Sequence, residues 1–121
     1  MTDHVTCLFT LALEPQHFPA FQALVSDIVS ATRQEPGTLI YEYSVNADGT
    51  QAHILERYRA DAVVGHVDVT FAPFAERFLS LAKITSLVVY GQPNASVRQR
   101  LDVFGAIYMG GFDGFCRDFA V

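Results

Sequence analysis

The chain has 121 residues, of which 50% are hydrophobic and 17% charged, and its net charge is −5. That length builds one domain with a real core, and the acidic balance excludes the clustered lysines and arginines that nucleic acid or an anionic membrane surface demands. No uninterrupted apolar run approaches the roughly 18 to 20 residues of a membrane span, and the first residues, MTDHVTC, lack the basic stretch of a signal peptide.

In chain order, Val5, Cys7, Phe9, Leu11 and Leu13 alternate as a strand should, with Leu8 and Ala12 apolar on the other face. Pro15 suits the first turn of a helix, and Phe18, Phe21, Leu24, Val25, Ile28 and Val29 follow helical spacing up to Arg33. Pro36 disfavours helix at Glu35, and Gly37 is expected to take the positive φ of a helix-ending turn. Two strands, Thr38 to Val45 and Gln51 to Tyr58, flank a turn that carries Asp48-Gly49. Asp61 is placed to cap a helix bearing His66, with a break at which Thr70 caps a second piece and Pro73 fits its first turn. Phe71, Phe74, Phe78 and Leu81 form its buried stripe. Ile84 to Tyr90 reads as a strand with Ile84, Val88 and Tyr90 on one face and Leu87 and Val89 on the other. Ser96 and Gln99 form a candidate capping box for a last helix carrying Val97, Leu101, Phe104, Ile107 and Tyr108, stopped by Gly110-Gly111.

This order predicts an α+β fold of ferredoxin-like βαββαβ type: an antiparallel sheet with both main helices on one face, plus an extra C-terminal helix. Residues 1–92 form the expected domain, and residues 93–121 a helix and an aromatic tail packed on it. The tail is expected to cover a pocket mouth, to cross onto a partner or to close the core. The second sheet face is expected to carry Leu8, Ala12, Leu87 and Val89, too apolar to leave in water. Two sheets packed face to face solve that, so the expected partner is a second copy of the chain. Cys7 and Cys116 read as buried free thiols of a cytoplasmic protein.

No phosphate-loop or dinucleotide glycine spacing, paired metal-ligand motif or nucleophile elbow occurs, so neither cofactor nor metal is expected. Any catalysis then falls to ordinary side chains acting on a substrate with its own reactivity.

The run Glu35-Pro36-Gly37, Leu39, Tyr41-Glu42, then Asp48, then Glu56-Arg57-Tyr58, then Asp61 and His66 resembles the antibiotic biosynthesis monooxygenase family over roughly residues 4–92, with Val64 near the family's usual alanine. The resemblance implies a dimeric α+β barrel. It also implies a cofactor-independent monooxygenase acting on a small apolar or aromatic substrate, such as a phenol or quinol whose anion passes an electron to O₂. Such chemistry needs a base, donors for an oxyanion and a water-poor pocket. His66 sits in the register of the family histidine and titrates in the right range to be the base. Glu56 would orient it or a substrate hydroxyl; Tyr41 and Tyr58 would donate; Phe71 and Phe74 would wall the pocket. Haem-degrading relatives carry a second histidine where this chain has Ala75 and Glu76, which disfavours haem chemistry. Each residue also has a plainer reading: His66 a packed histidine, Glu56 a strand-surface partner of an arginine, the aromatics core. A non-catalytic binder of a hydrophobic metabolite and an isomerase of small oxygenated metabolites are the alternatives of function.

Overall fold

Strand β1 (His4–Leu13) is the centre of the sheet, third in a five-stranded order and paired on both sides along its length. The computed structural model, which describes residues 4–117, places β1 between β3 (Gln51–Arg59) and β4 (Ala82–Tyr90), antiparallel to both. β2 (Thr38–Val45) extends one edge through the hairpin, and a short β5 (Ile107–Met109) lies parallel to β4 at the other, giving the order β2-β3-β1-β4-β5. The antiparallel βαββαβ core is the expected one. The fifth strand is not: Ile107 and Tyr108, read as helical, belong to it.

The last helix, α4 (Ala95–Leu101), is capped by Asn94, whose Oδ1 accepts the Val97 N–H at 3.0 Å, so Ser96 and Gln99 are not its cap. A 3₁₀ turn, Asp102–Phe104, follows, and Gly105 at φ 73 ends it in the left-handed conformation that glycine takes without strain.

Period-two alternation sorts the strands into two faces. The covered face carries Val5, Cys7 and Phe9 of β1, then Ile54, Glu56 and Tyr58 of β3. Against it lie α1 (Phe18–Thr32) and α3 (Ala75–Leu81), whose Phe21 and Phe78 meet edge to face with centroids 5.4 Å apart. Each fully buried large side chain there contributes roughly 1.5–3 kcal/mol.

Leu87 and Val89 belong to this covered face, not the open one, and Leu87 is 1% exposed. The cause is a bulge. Thr10 pairs with Ser86 and Leu11 with Ile84, leaving Thr85 unpaired, so Ile84 and Leu87 share a face despite their odd spacing. The open face instead carries Leu8, Leu55, Val88 and Tyr90, extended by Ile107 and Met109 of β5.

Between β3 and α3 the chain does not make the expected two helices. A 3₁₀ turn (Ala60–Ala62), one α turn, α2 (Val63–Gly65), a π turn (His66–Phe71) and another 3₁₀ turn (Ala72–Phe74) follow one another. Pro73 has no N–H to give the carbonyl of Val69, and Gly65 weakens the stretch before it, so a regular helix cannot run through. Neither Asp61 nor Thr70 makes a side-chain cap bond.

Gly37 is needed for space, not for positive φ. A Cβ there would lie 2.5 Å from the Cβ of Ala62, so a glycine lets the 60–62 turn close onto the end of α1. The tail from Gly110 to Arg117 lies exposed, with Arg57 Nη1 donating to Cys116 Sγ at 2.9 Å; Cys116 is therefore exposed, and only Cys7 is buried as expected. The end of the tail, residues 118–121, is outside the described part. No helix among the described residues is long and apolar enough to cross a membrane.

Candidate active site

The turn after α1 aims an acid inward. Glu35 N–H donates to the carbonyl of Thr32 at 2.9 Å, Pro36 turns the chain, and Gly37 admits the turn from β3. The Glu35 carboxyl accepts the Thr38 hydroxyl at 2.6 Å and meets Nδ1 of His66 at 3.0 and 3.2 Å through its two oxygens. His66 opens the π turn and is 4% exposed. Its ring lies between those of Tyr41 and Tyr58, at 5.2 and 5.3 Å, and stacks on Phe71 at 6.2 Å.

These groups line a small cavity of about 50 Å³ under the helices. Its polar side comes from β2 and β3, through Tyr41, Tyr43, Glu56 and Tyr58, with His66 over them; its apolar side includes Phe9, Ile84, Leu101 and Phe104. Glu56 is 6% exposed, and Tyr58 donates its hydroxyl to Glu56 Oε1 at 2.5 Å. The hydroxyls of Tyr41 and Tyr43 lie 3.0 Å apart.

Burial dominates the protonation of this set. It pushes the Glu56 carboxyl up to about 8, against the Tyr58 hydrogen bond and with help from the charge of Glu35. Burial thus favours the protonated form of Glu56 at neutral pH, with Oε1 accepting the Tyr58 hydroxyl. Burial pushes His66 below its ordinary 6.5, and Glu35 opposes that without cancelling it. His66 is thus neutral at pH 7. A carboxylate facing Nδ1 holds the proton there and leaves Nε2 as the basic atom. Burial also raises Tyr41, Tyr43, Tyr58 and Cys7, so the phenols stay protonated as donors and the thiol is no nucleophile. The arrangement joins a base, a neutral acid and hydroxyl donors around one apolar space. Among the described residues, no group of three or more His, Cys, Asp or Glu side chains is placed to hold a metal.

Of the residues singled out in the sequence, His66, Glu56, Tyr41, Tyr58 and Phe71 meet at the cavity; Phe74 packs beside the core without lining it. The carboxyl that grips His66 is Glu35, not Glu56. Glu56 makes no surface ion pair, because alternation puts it under the helices and Arg57 on the other face. Sequence reasoning quoted Glu35 inside its motif but gave it no role, and it missed Leu101 and Phe104 as lining. The acidic residue held at a Pro-Gly helix end was the available signal for Glu35.

No protein-family model matches the sequence, and no curated protein matches it significantly. Solved structures do. MupZ from Pseudomonas fluorescens is 27% identical with a TM-score of 0.86, covering 100% of this chain and 94% of its own. A candidate antibiotic biosynthesis monooxygenase from Caulobacter crescentus is 20% identical (TM-score 0.61), covering 73% of this chain and 86% of its own. SnoaB, a cofactor-independent oxygenase from Streptomyces nogalater, is 14% identical (TM-score 0.64), covering 78% of this chain and 97% of its own. The chain's structural neighbours are thus antibiotic biosynthesis monooxygenase-like proteins, and its fold is theirs.

Proposed function

We propose that the protein is a cofactor-independent monooxygenase for a small, neutral aromatic or quinol-type substrate. The observation that carries the reading is the buried imidazole of His66, met at Nδ1 by the Glu35 carboxyl at 3.0 Å, inside a mostly apolar cavity. The substrate hydroxyl gives its proton to Nε2 of His66, and the tyrosine hydroxyls stabilise the anion. One electron passes from the anion to O₂, and the resulting radical pair joins as a carbon-bound peroxide. Proton donation by Glu56 to the outer peroxide oxygen lets the O–O bond break. Loss of water, with the carbon's own proton, leaves a carbonyl; one oxygen atom is in the product and the other in water. The fold shared with a cofactor-independent oxygenase supports the reading.

The test is an oxygen electrode with quinols, naphthols and anthrones and the metal-free protein. We expect stoichiometric O₂ uptake and label from ¹⁸O₂ in the product. His66→Ala is expected to lower turnover by roughly 10²- to 10⁴-fold with the fold intact. Turnover at the wild-type rate in that variant would sink the assignment.

A second reading is favoured by the neutral Glu56 alone. An acid and a base in one dry cavity also suit isomerisation of a small oxygenated metabolite, with no oxygen consumed. Substrate conversion under nitrogen at the aerobic rate would select it.

Assembly completes the proposal. Ile107 is 58% exposed on an open sheet face that also carries Leu8, Leu55, Tyr90 and Met109, an apolar surface that a second copy of the chain would cover. A homodimer in a reducing cytoplasm, where Cys7 and Cys116 stay free, is the state we infer.

A further inference from the structure

Two cavity walls come from the C-terminal extension instead of from the sheet and its main helices. Leu101 ends α4, and Phe104 ends the 3₁₀ turn behind it, leaning edge-on against Phe9 with centroids 5.8 Å apart. The Caulobacter protein and SnoaB match 73% and 78% of this chain. MupZ spans the whole chain.

Outside the cavity, an open groove runs between the π turn and the extension, lined by Val67, Gln99, Arg100, Val103 and Phe104. Val67 and Phe104 line both the groove and the cavity, so these two side chains are the partition between solvent and the site. Each side of the partition is tied to the other. Asp68, next to Val67, accepts from Arg100 Nη2 at 2.8 Å and from Arg100 Nε at 3.2 Å. Arg100 Nη1 is meanwhile fixed to the carbonyl of Ser96 in its own helix at 2.9 Å. On the other flank Gly105, at φ 73 and with open space where a Cβ would stand, ends the Phe104 turn in the left-handed conformation. The partition of Val67 and Phe104 therefore lies between a surface ion pair and a glycine.

We propose that this groove is the way into the cavity and that Phe104, backed by Leu101, sets the size of the molecule admitted. The proposal rests on the reading of the cavity as a substrate site and deepens it by naming the ligand's form. Among the described residues no Lys or Arg lines the cavity, and Glu35 stands behind His66, so a carboxylate-bearing ligand would be desolvated with no cation to pair it and a neutral one is accepted. The polar groups sit on the β2–β3 side and Phe104 on the side of β1 and β4. A ligand thus lies with its oxygen function under His66 and its apolar body toward Phe104, where extra length meets the ring.

The experiment is stopped-flow binding of 1-naphthol and 9-phenanthrol to the full chain, with 1-naphthoate as the anionic control. Wild type should favour the two-ring phenol and ignore the naphthoate. Phe104→Ala should speed association of both phenols at least about threefold and erase the size preference, and Phe104→Trp should slow both. Asp68→Asn, a surface change with little risk to folding, should speed association without altering the preference. If 1-naphthol affinity responds to Tyr43→Phe at the far polar wall, yet rates and preference ignore both Phe104 variants, the entrance lies elsewhere and the proposal is overturned while the cavity stands. If 1-naphthol does not bind wild type, or binds indifferently to Tyr43→Phe and Glu56→Gln, the cavity reading falls and this proposal with it.

Discussion

Glu56 and Arg57 are neighbours in β3, yet they live in different solvents. Glu56 faces the helices, buried and held neutral to a pH of about 8, with Tyr58 as its partner. Arg57 faces the other way, where its Nε donates to Thr6 Oγ1 at 2.9 Å and its Nη1 reaches Cys116. The two faces of one sheet have divided the work that the strands can do. The covered face keeps a few polar groups in an apolar setting, which shifts their protonation and so creates acid–base chemistry. The open face keeps apolar groups in water, which favours association. A single strand supplies both because its side chains alternate.

Moving a charge between the faces should break this comparison most visibly. Leu8→Lys puts an ammonium on the open face and should give a folded protein with weakened dimerisation. Leu87→Lys puts it in the core and should give no folded protein at all. Circular dichroism and light scattering on the pair check both outcomes; a folded Leu87→Lys protein would mean that β4 is phased the other way.

The next effect concerns stability. An unfolded Glu56 carboxyl ionises near its ordinary 4.5, whereas the folded one keeps its proton to about 8. Between those values only the unfolded state releases the proton, so wild-type stability from this group is fully present below 4.5 and is lost as pH rises toward 8. The loss runs at about 1.4 kcal/mol for each pH unit. Glu56→Gln retains the acceptor for Tyr58 and has nothing to ionise. Its denaturation midpoint relative to wild type should therefore rise steadily across that window. A difference independent of pH would show that Glu56 is not held neutral.

A smaller effect isolates Glu35. It raises the His66 pKa against burial, so Glu35→Gln should move the acid limb of kcat/KM to still lower pH. Turnover should fall about tenfold as the imidazole loses its orienting partner. If Glu35 only holds the turn, the acid limb will stay where it is in wild type.

Much of this was legible in the chain. Alternation, the Asp48-Gly49 turn and the Glu35-Pro36-Gly37 stop gave the antiparallel core, and the family resemblance placed His66 near Glu56 and Tyr41. What stayed hidden depends on contacts across the sequence. Nothing local couples Glu35 to His66, whose meeting follows from Gly37 letting the 60–62 turn pack against it. The faces of Leu87 and Val89 were misread because an apolar run has no phase of its own and the unpaired Thr85 shifts it. Ile107 and Tyr108 fit helical spacing after Phe104 equally well, until Gly105 turns the chain and β4 offers an edge to pair with.

The central claim is that burial on the covered face holds Glu56 as a neutral acid beside a neutral His66. Carbon-13 NMR of the glutamate side-chain carboxyls, with Glu56→Gln used for assignment, measures it with no need of a substrate. The account predicts one carboxyl, absent from the variant, that titrates near 8. A Glu56 resonance that titrates near its ordinary 4.5 would contradict it, and with it the acid half of the proposed chemistry.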